Sequence, residues 1–475
     1  MSRPRVVDLG VDLGTTVTKL VALDEDGSPV ADASVATVWE EPAEGYAERD
    51  PRAVVDAVEE LVGRATDHLA GGGDVRIRSI GFTSMAEAGV LVDAGGEARS
   101  RVMAWFDARG DAQAAALDPD VAREFPARTG LAVSHVPTLF KVAWLRDQGL
   151  DLRGLQWLSL PELVVHRLGG RRVAERSLLG RTGFLDVHTG GPHVPALRHL
   201  GADEGLVPEI VGAGTPAGRV RADHPVAAAR GAVLTVAGHD HAVAAAASGS
   251  ATTASAMDSI GTAEAILVAS PRVPAPAVVA RLSAAGVSVY PHVVRGTTGL
   301  LGAVRTGLVL KRVLHLLGTD DEDGRARVDR ESMGHRGERL DVEVTGLSMR
   351  DHDVVLTLHG DSPTPGRLWR AALDRSTEHA AEVLAHLADA DIRIDRLVLA
   401  GGWTGMPSVV DARRSLAPVV EVAASQQPGP RGAALFGRWA ALHADPGSTD
   451  QRPPADYFAS FLDPPALVEE RRPAR

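Results

Sequence analysis

The chain contains no cysteine, which excludes a disulfide framework, a thiolate metal site and a thiol nucleophile, and fits a reducing cytosol. Lysine is almost as scarce. Only Lys19, Lys141 and Lys311 occur, and arginine supplies the rest of the 50 basic residues, a bias read as coding preference rather than chemistry. Positive charge is not in excess either: the formal net charge of -12 argues against a nucleic-acid footprint and a basic membrane-surface patch. A small anionic substrate would therefore need local positive groups. No apolar run reaches the roughly 18 residues of a membrane span, and the opening MSRPRVVDLG lacks the pattern of a signal sequence. These absences predict a cytoplasmic protein with neither nucleic acid nor membrane as a partner. What is plentiful is apolar residue, 44% of 475, enough for a large core that at this length splits into two domains.

Along the chain, strand patterns alternate with helical ones. RVVDLGVDLGTTVTKLVALDEDGSPV reads as two strands around a Gly-Thr-Thr elbow, followed by a hairpin at DEDG. PRAVVDAVEELVGRATDHLAG carries apolar residues at helical spacing and ends in glycine, RIRSIGFTS returns to a strand, and HVPTLFKVAWLRDQG is helical again. This alternation predicts α/β domains. Halfway along, DSIGTAEAILV repeats the elbow, with Asp258, Gly261 and Thr262 echoing Asp12, Gly14 and Thr15. A third glycine turn, Gly401 and Gly402, ends the late strand pattern RLVLAGG. The expected division is 1–248, 249–445 and a tail rich in proline and charge, 446–475, lying on the surface or partly disordered.

The elbow DLGTT is neither the GxxxxGK[ST] loop nor the GxGxxG fingerprint. Its chemistry still suits phosphate: glycine lets backbone N–H groups approach phosphate oxygens, Thr15 and Thr16 add hydroxyl donors, and Asp12 can hold a water on Mg²⁺. Lys19, on the outgoing strand, is either a phosphate contact or an ordinary exposed lysine. Two elbows and a late Gly-Gly turn make three backbone cradles, which suits a nucleotide clamped between two domains.

The segment AGHDHAVAAAASG places His239, Asp240 and His241 between a strand and an alanine-rich helix. A histidine metal site is disfavoured, because consecutive residues are not expected to converge on one ion and no HExxH-type pattern accompanies them. On the residues alone, Asp240 is equally a helix cap or a reactive carboxylate.

Taken in order, GVDLGTTVTKLVALDEDG, GYAERDP, IGFTSMAEAGVLVD, AWFDARG, TLFKVAWLRDQ, VPEIVGAGTPAGRV, AGHDHAVAAAASG, DSIGTAEAILV and LVLAGGWTGMPSVVDARR resemble the FGGY carbohydrate kinases over about residues 6 to 440. The resemblance implies two actin-like, ribonuclease H-like ATPase domains around a central cleft. It also implies transfer of the γ-phosphoryl of MgATP to a hydroxyl of a small sugar or polyol. Asp240 would be the general base, Asp12 the Mg²⁺ site, and Gly14, Thr15, Thr16, Lys19, Gly261, Thr262, Gly401 and Gly402 the ATP contacts. Glu87, Trp105 and Asp107 would join Asp240 in binding the acceptor.

Met85, Ala86 and Glu87 stand where glycerol kinases carry Gln-Arg-Glu and xylulokinases Gln-Met-His, so Glu87 matches the glycerol-kinase carboxylate while the arginine and the histidine are both missing. Further departures fall at Val136, Thr357, Arg367, Trp403 and Met406. A pentulose such as xylulose is the first substrate expectation, with glycerol, a tetritol or gluconate as alternatives, and a homodimer is the expected assembly. Two rivals of another class are an actin- or Hsp70-like ATPase, which shares VDLGTT, and a sugar-sensing module. The Asp240 segment and the sugar-side motifs oppose the first, and retention of Asp12 and Asp240 opposes the second.

Overall fold

The computed structural model describes residues 4–338, 342–346, 353–359, 364–425, 427–443, 448–462 and 466–467. Residues 360–363 of the second helix signature, and 446–447, 463–465 and 468–475 of the expected tail, lie outside the described residues.

Two sheets carry the molecule. The first runs in the order Pro29–Ala36, Val17–Leu23, Arg5–Leu13, Val75–Ser84, Val233–His239, Pro216–Arg219. Its first three strands are antiparallel, and Arg5–Leu13 and Val233–His239 both lie parallel to Val75–Ser84. The second sheet repeats the scheme. The hairpin Ser255–Ile260 and Glu264–Ser270 opens it, Ser255–Ile260 lies parallel to Arg396–Ala400, and Arg396–Ala400 lies parallel to Val419–Val422. Mixed sheets of this hairpin-then-parallel form, covered by helices, are the actin-like, ribonuclease H-like architecture.

Helix Pro51–Ala70 covers one face of the first sheet. Asp50 caps it by accepting from Arg52 N, Pro51 occupies the first turn, and Val54, Val58, Leu61, Val62, Ala65 and Leu69 form its buried stripe. The other face receives helix Pro428–Leu442, which arrives late in sequence and packs against Arg5–Leu13, Val75–Ser84 and helix Asp240–Ala247. It sits backbone to backbone. A Cβ on Gly10 would fall 1.9 Å from Pro430 O, and one on Gly81 1.9 Å from Ala433 O, so only glycine admits the helix. Residues 428–442, expected in the C-terminal unit, therefore lie on the first sheet.

The tail expectation needs correction over 448–462. Phe458 is buried, Tyr457 Oη donates to Leu435 O at 3.0 Å, and Trp439 Nε1 donates to Gln451 O at 2.6 Å. The aromatic residues Tyr457, Phe458 and Phe461 give this segment an apolar face that its proline and charge conceal in composition. Among the described residues, no helix is long and apolar enough to cross a membrane.

Candidate active site

Asp240 stands at a strand-to-helix turn. Val233–His239 ends on a buried histidine, and Asp240 is the first residue of helix Asp240–Ala247. Gly238 makes the turn possible: its φ is +111°, and a Cβ there would lie 2.4 Å from Ser177 Oγ. Ser177 Oγ accepts from His239 N at 2.9 Å and donates to Glu175 Oε2 at 2.6 Å, fixing the backbone just before the carboxylate. Asp240 Oδ1 accepts from His241 N at 2.6 Å, and no described residue donates to its second oxygen. Burial, partly offset by the His241 amide and reinforced by Glu87, pushes the Asp240 carboxyl up to about 7. A carboxyl poised there suits proton abstraction better than capping.

The expectation that His239, Asp240 and His241 do not converge is corrected, because the turn falls between them and one ligand atom from each lies within 4.8 Å of the others. His239 is nonetheless committed. Its Nδ1 lies 3.0 Å from Tyr290 Oη and its Nε2 3.2 Å from Asp240 Oδ1.

Asp12, near the end of the first strand, belongs to the same group of charges. Its carboxyl is pushed up to about 7 by burial first and by Asp240 second, while Lys19 opposes the shift. Lys19 is the direct cross-strand partner of Asp12, so the two share a face of the sheet. Asp12 Oδ1 is buried and receives no donor from any described residue, and Oδ2 faces Gly429, where a Cβ would come within 2.7 Å. An ionisable oxygen left unsatisfied in this way fits a cation or its water, which would also relieve the repulsion from Asp240.

At the elbow itself, Gly14 O accepts from Thr37 Oγ1 at 2.9 Å. Thr15 is tied to the sugar side, since its O accepts from Trp39 Nε1 at 2.8 Å and its Oγ1 from Trp105 Nε1 at 3.1 Å. The Thr15 hydroxyl thus accepts from the indole and donates to Met85 Sδ at 3.6 Å, which turns its hydrogen away from a phosphate. Thr16 is exposed.

On the acceptor side, Glu87 adopts a φ of +62° and is nearly buried; its Oε1 accepts from Arg181 Nε at 2.7 Å and lies 2.6 Å from Arg181 Nη2. Arg181 was not anticipated, and its Nη1 is buried without a partner among the described residues. Trp105 is half-buried and packs edge to face on Phe106. Asp107 requires a correction. It is fully buried, its Oδ2 accepts from Ala47 N at 2.7 Å and Arg109 Nη2 at 2.6 Å, and its Oδ1 accepts from Arg109 N and Nε at 2.8 and 2.9 Å. With both oxygens consumed, it supports the cleft floor rather than binding hydroxyls. Lys141 does not run along its helix to solvent but is buried, its Nζ donating to the carbonyls of Trp105, His135 and Val136 at 3.2, 2.8 and 3.1 Å.

In the second half, Gly261 and Thr262 form the elbow, and Gly261 O accepts from Trp403 Nε1 at 3.1 Å. Gly401, at φ +96°, lies so close to Ile260 that a Cβ would meet its O at 2.4 Å, whereas Gly402 faces open space. The late Gly-Gly turn and the second elbow are therefore one construction. The echo of Asp12 by Asp258 is corrected: Asp12 precedes its glycine by two residues and Asp258 by three, and alternation along a strand sends them to opposite faces. The counterpart of Asp12 is Ser259. Asp258 instead meets Arg413, buried with it and with Glu264; Arg413 Nε donates to Asp258 Oδ2 at 3.3 Å, and its Nη2 donates to both Glu264 oxygens at 2.9 Å.

Two such halves, one bringing the carboxylates of Asp12 and Asp240 together and the other carrying a glycine-lined turn, have the actin-like fold. The chain belongs to the FGGY family of carbohydrate kinases, whose N-terminal domain model matches residues 7–247. It is 28% identical over 221 residues to L-fuculokinase of Salmonella typhi, an alignment covering 46% of each chain, so it spans about half the length of that relative. It is 27% identical over 463 residues to xylulose kinase of Streptomyces rubiginosus, covering 94% of this chain and 89% of that one. The structure of xylulose kinase from Rhodospirillum rubrum superimposes with a TM-score of 0.83 at 23% identity, over 98% of this chain and 94% of that one, and shows the same fold.

Proposed function

We propose that the chain is an ATP-dependent kinase that phosphorylates a hydroxyl of a small sugar or polyol, with a pentulose such as xylulose as the first candidate. The observation that carries this reading is Asp240, whose second oxygen has no described donor and whose carboxyl is held near 7 beside Asp12, Glu87 and Arg181. The acceptor hydroxyl would give its proton to Asp240 as its oxygen attacks the γ-phosphorus in line and the bond to the β-phosphate oxygen breaks, releasing ADP. Asp12 would hold Mg²⁺, which neutralises charge on the transferring phosphates. Gly14, Thr16, Lys19, Gly261, Thr262, Gly401 and Gly402 would cradle the nucleotide. Trp105, Glu87 and Arg181 would orient the acceptor, and closure of the halves would exclude water.

The pentulose choice is supported by the near full-length similarity to a xylulose kinase, set against the half-length match to the fuculokinase. A gluconate-like acid is the second reading, favoured by Arg181 Nη1, which has no partner among the described residues. ADP formation from MgATP across a panel of pentuloses, hexuloses, polyols and aldonic acids tests it. Turnover should depend on the acceptor and be greatest with a pentulose; no stimulation by any member would sink the kinase reading.

A further inference from the structure

Behind Asp240, a hydrogen bond and a close polar contact link one half of the molecule to the other. Tyr290, in strand Val287–Pro291 of the second sheet, is fully buried, and its hydroxyl meets His239 Nδ1 at 3.0 Å; the opposite ring nitrogen of His239 meets Asp240 Oδ1 at 3.2 Å. The two rings cross nearly edge to face, with centroids 5.3 Å apart. Burial keeps the phenol protonated, far above its usual range, and holds the imidazole neutral, well below its own.

One arrangement of hydrogens then satisfies all three groups. An ionised Asp240 can only accept, so His239 Nε2 carries the hydrogen, Nδ1 carries the lone pair, and Tyr290 donates. Asp240 Oδ1 thereby accepts from His241 N at 2.6 Å and faces the polarised N–H side of His239 at 3.2 Å, and the second oxygen is left for the acceptor's proton.

The strand that brings Tyr290 is also where the second half meets the first. Val289 N donates to Gly130 O at 2.9 Å, and a Cβ on Gly130 would lie 2.0 Å from Val289 O. A Cβ on Gly180 would fall 3.0 Å from Tyr290 Cβ, so the base of Tyr290 lies close against the first half. Other charged and titratable groups interact with this relay: Asp12 with Lys19, Glu87 with Arg181, Glu175, His292, and His241, whose ring centroid lies 5.4 Å from that of His239. The Arg181 guanidinium lies 5.5 Å from the Tyr290 ring centroid.

Building on the reading of Asp240 as the base, we infer that Tyr290 and His239 are positioning residues, a relay through which the second half of the chain aims the carboxylate held by the first. Without the phenol hydroxyl, His239 is free to take the other tautomer and turn a lone pair toward Asp240. The carboxylate then faces a lone pair at 3.2 Å where it had faced an N–H, and is pushed from its orientation.

The test compares wild type with Tyr290→Phe, His239→Gln, His239→Ala and Asp240→Asn. D-xylulose is the first acceptor, and the best acceptor of the panel replaces it if xylulose is not turned over. Tyr290→Phe should lower kcat about 10-fold with KM for the acceptor little changed, in the range usual for a lost outer-shell partner, and should move the acid limb of kcat/KM to higher pH. His239→Gln, whose amide can still donate to Asp240, should retain more activity than His239→Ala.

A second readout needs no acceptor. Ring ¹⁵N shifts of histidine-labelled protein above pH 8 should show His239 as the Nε2–H tautomer in wild type and as a mixture in Tyr290→Phe. Wild-type kcat, pH limb and tautomer in Tyr290→Phe would overturn the relay. If Asp240→Asn is inactive while Tyr290→Phe is unchanged, only the relay fails; if Asp240→Asn turns over normally, the base assignment fails whatever Tyr290 does.

Discussion

Two Gly-Thr elbows in this chain each follow an aspartate, and the two aspartates have opposite fates. Asp12 keeps a buried oxygen with no described donor, beside Asp240 and Lys19, whereas Asp258 is locked by Arg413 together with Glu264. The difference is one residue of spacing. Two residues before its glycine, Asp12 is on the opposite face from the core residue Leu13; three residues before, Asp258 shares the core face with Ile260. A similar local sequence thus gives a carboxylate with an unsatisfied buried oxygen in one half and a structural ion pair in the other.

Several substitutions would break or sharpen this contrast. The largest effect belongs to the first half: Asp240→Asn should lower kcat by about 10² to 10⁴-fold, the usual worth of a positioned base, with ATP binding retained by calorimetry. Next comes the second half, where Arg413→Met strips the cation from two buried carboxylates. Breaking a buried pair from one side costs about 3–5 kcal/mol, which urea unfolding should register as a lowered midpoint. Asp258→Asn should be milder, changing kcat less than about 2-fold and stability by about 1 kcal/mol, because the amide oxygen can still accept from Arg413 Nε while Glu264 keeps the countercharge.

The smallest effect is a pH dependence of stability. Asp12 and Asp240 bind more protons in the folded chain than in the unfolded one between their usual 3.8 and about 7. Their contribution to stability is therefore lost as pH rises through that window. Asp240→Asn should melt about 1–4 °C above wild type at pH 8, and thermal scans at pH 4 should show the gap closed.

What the sequence disclosed was local. Gly14, Gly261 and Gly401 announce turns, and Asp240 announces itself at a strand-to-helix junction, because the backbone there demands particular residues within a few positions. What it hid was long-range. Arg181, Tyr290 and Arg413 act through partners 94, 51 and 149 positions away, and an arginine gives little signal in a chain where arginine supplies nearly all of the 50 basic residues. Asp107 looked available because nothing in AWFDARG says that Arg109 folds back onto it. The packing of 448–462 was masked in the same way, its few aromatics diluted by proline and charge.

Single-turnover transfer of labelled γ-phosphoryl to the acceptor, in wild type, Asp12→Asn and Asp258→Asn, tests the central contrast most directly. Transfer is expected at close to the wild-type rate in Asp258→Asn and to fall at least about 10²-fold in Asp12→Asn, a share of the stabilisation a bound metal gives. Equal loss in both variants, or near-normal transfer in Asp12→Asn, would contradict that contrast.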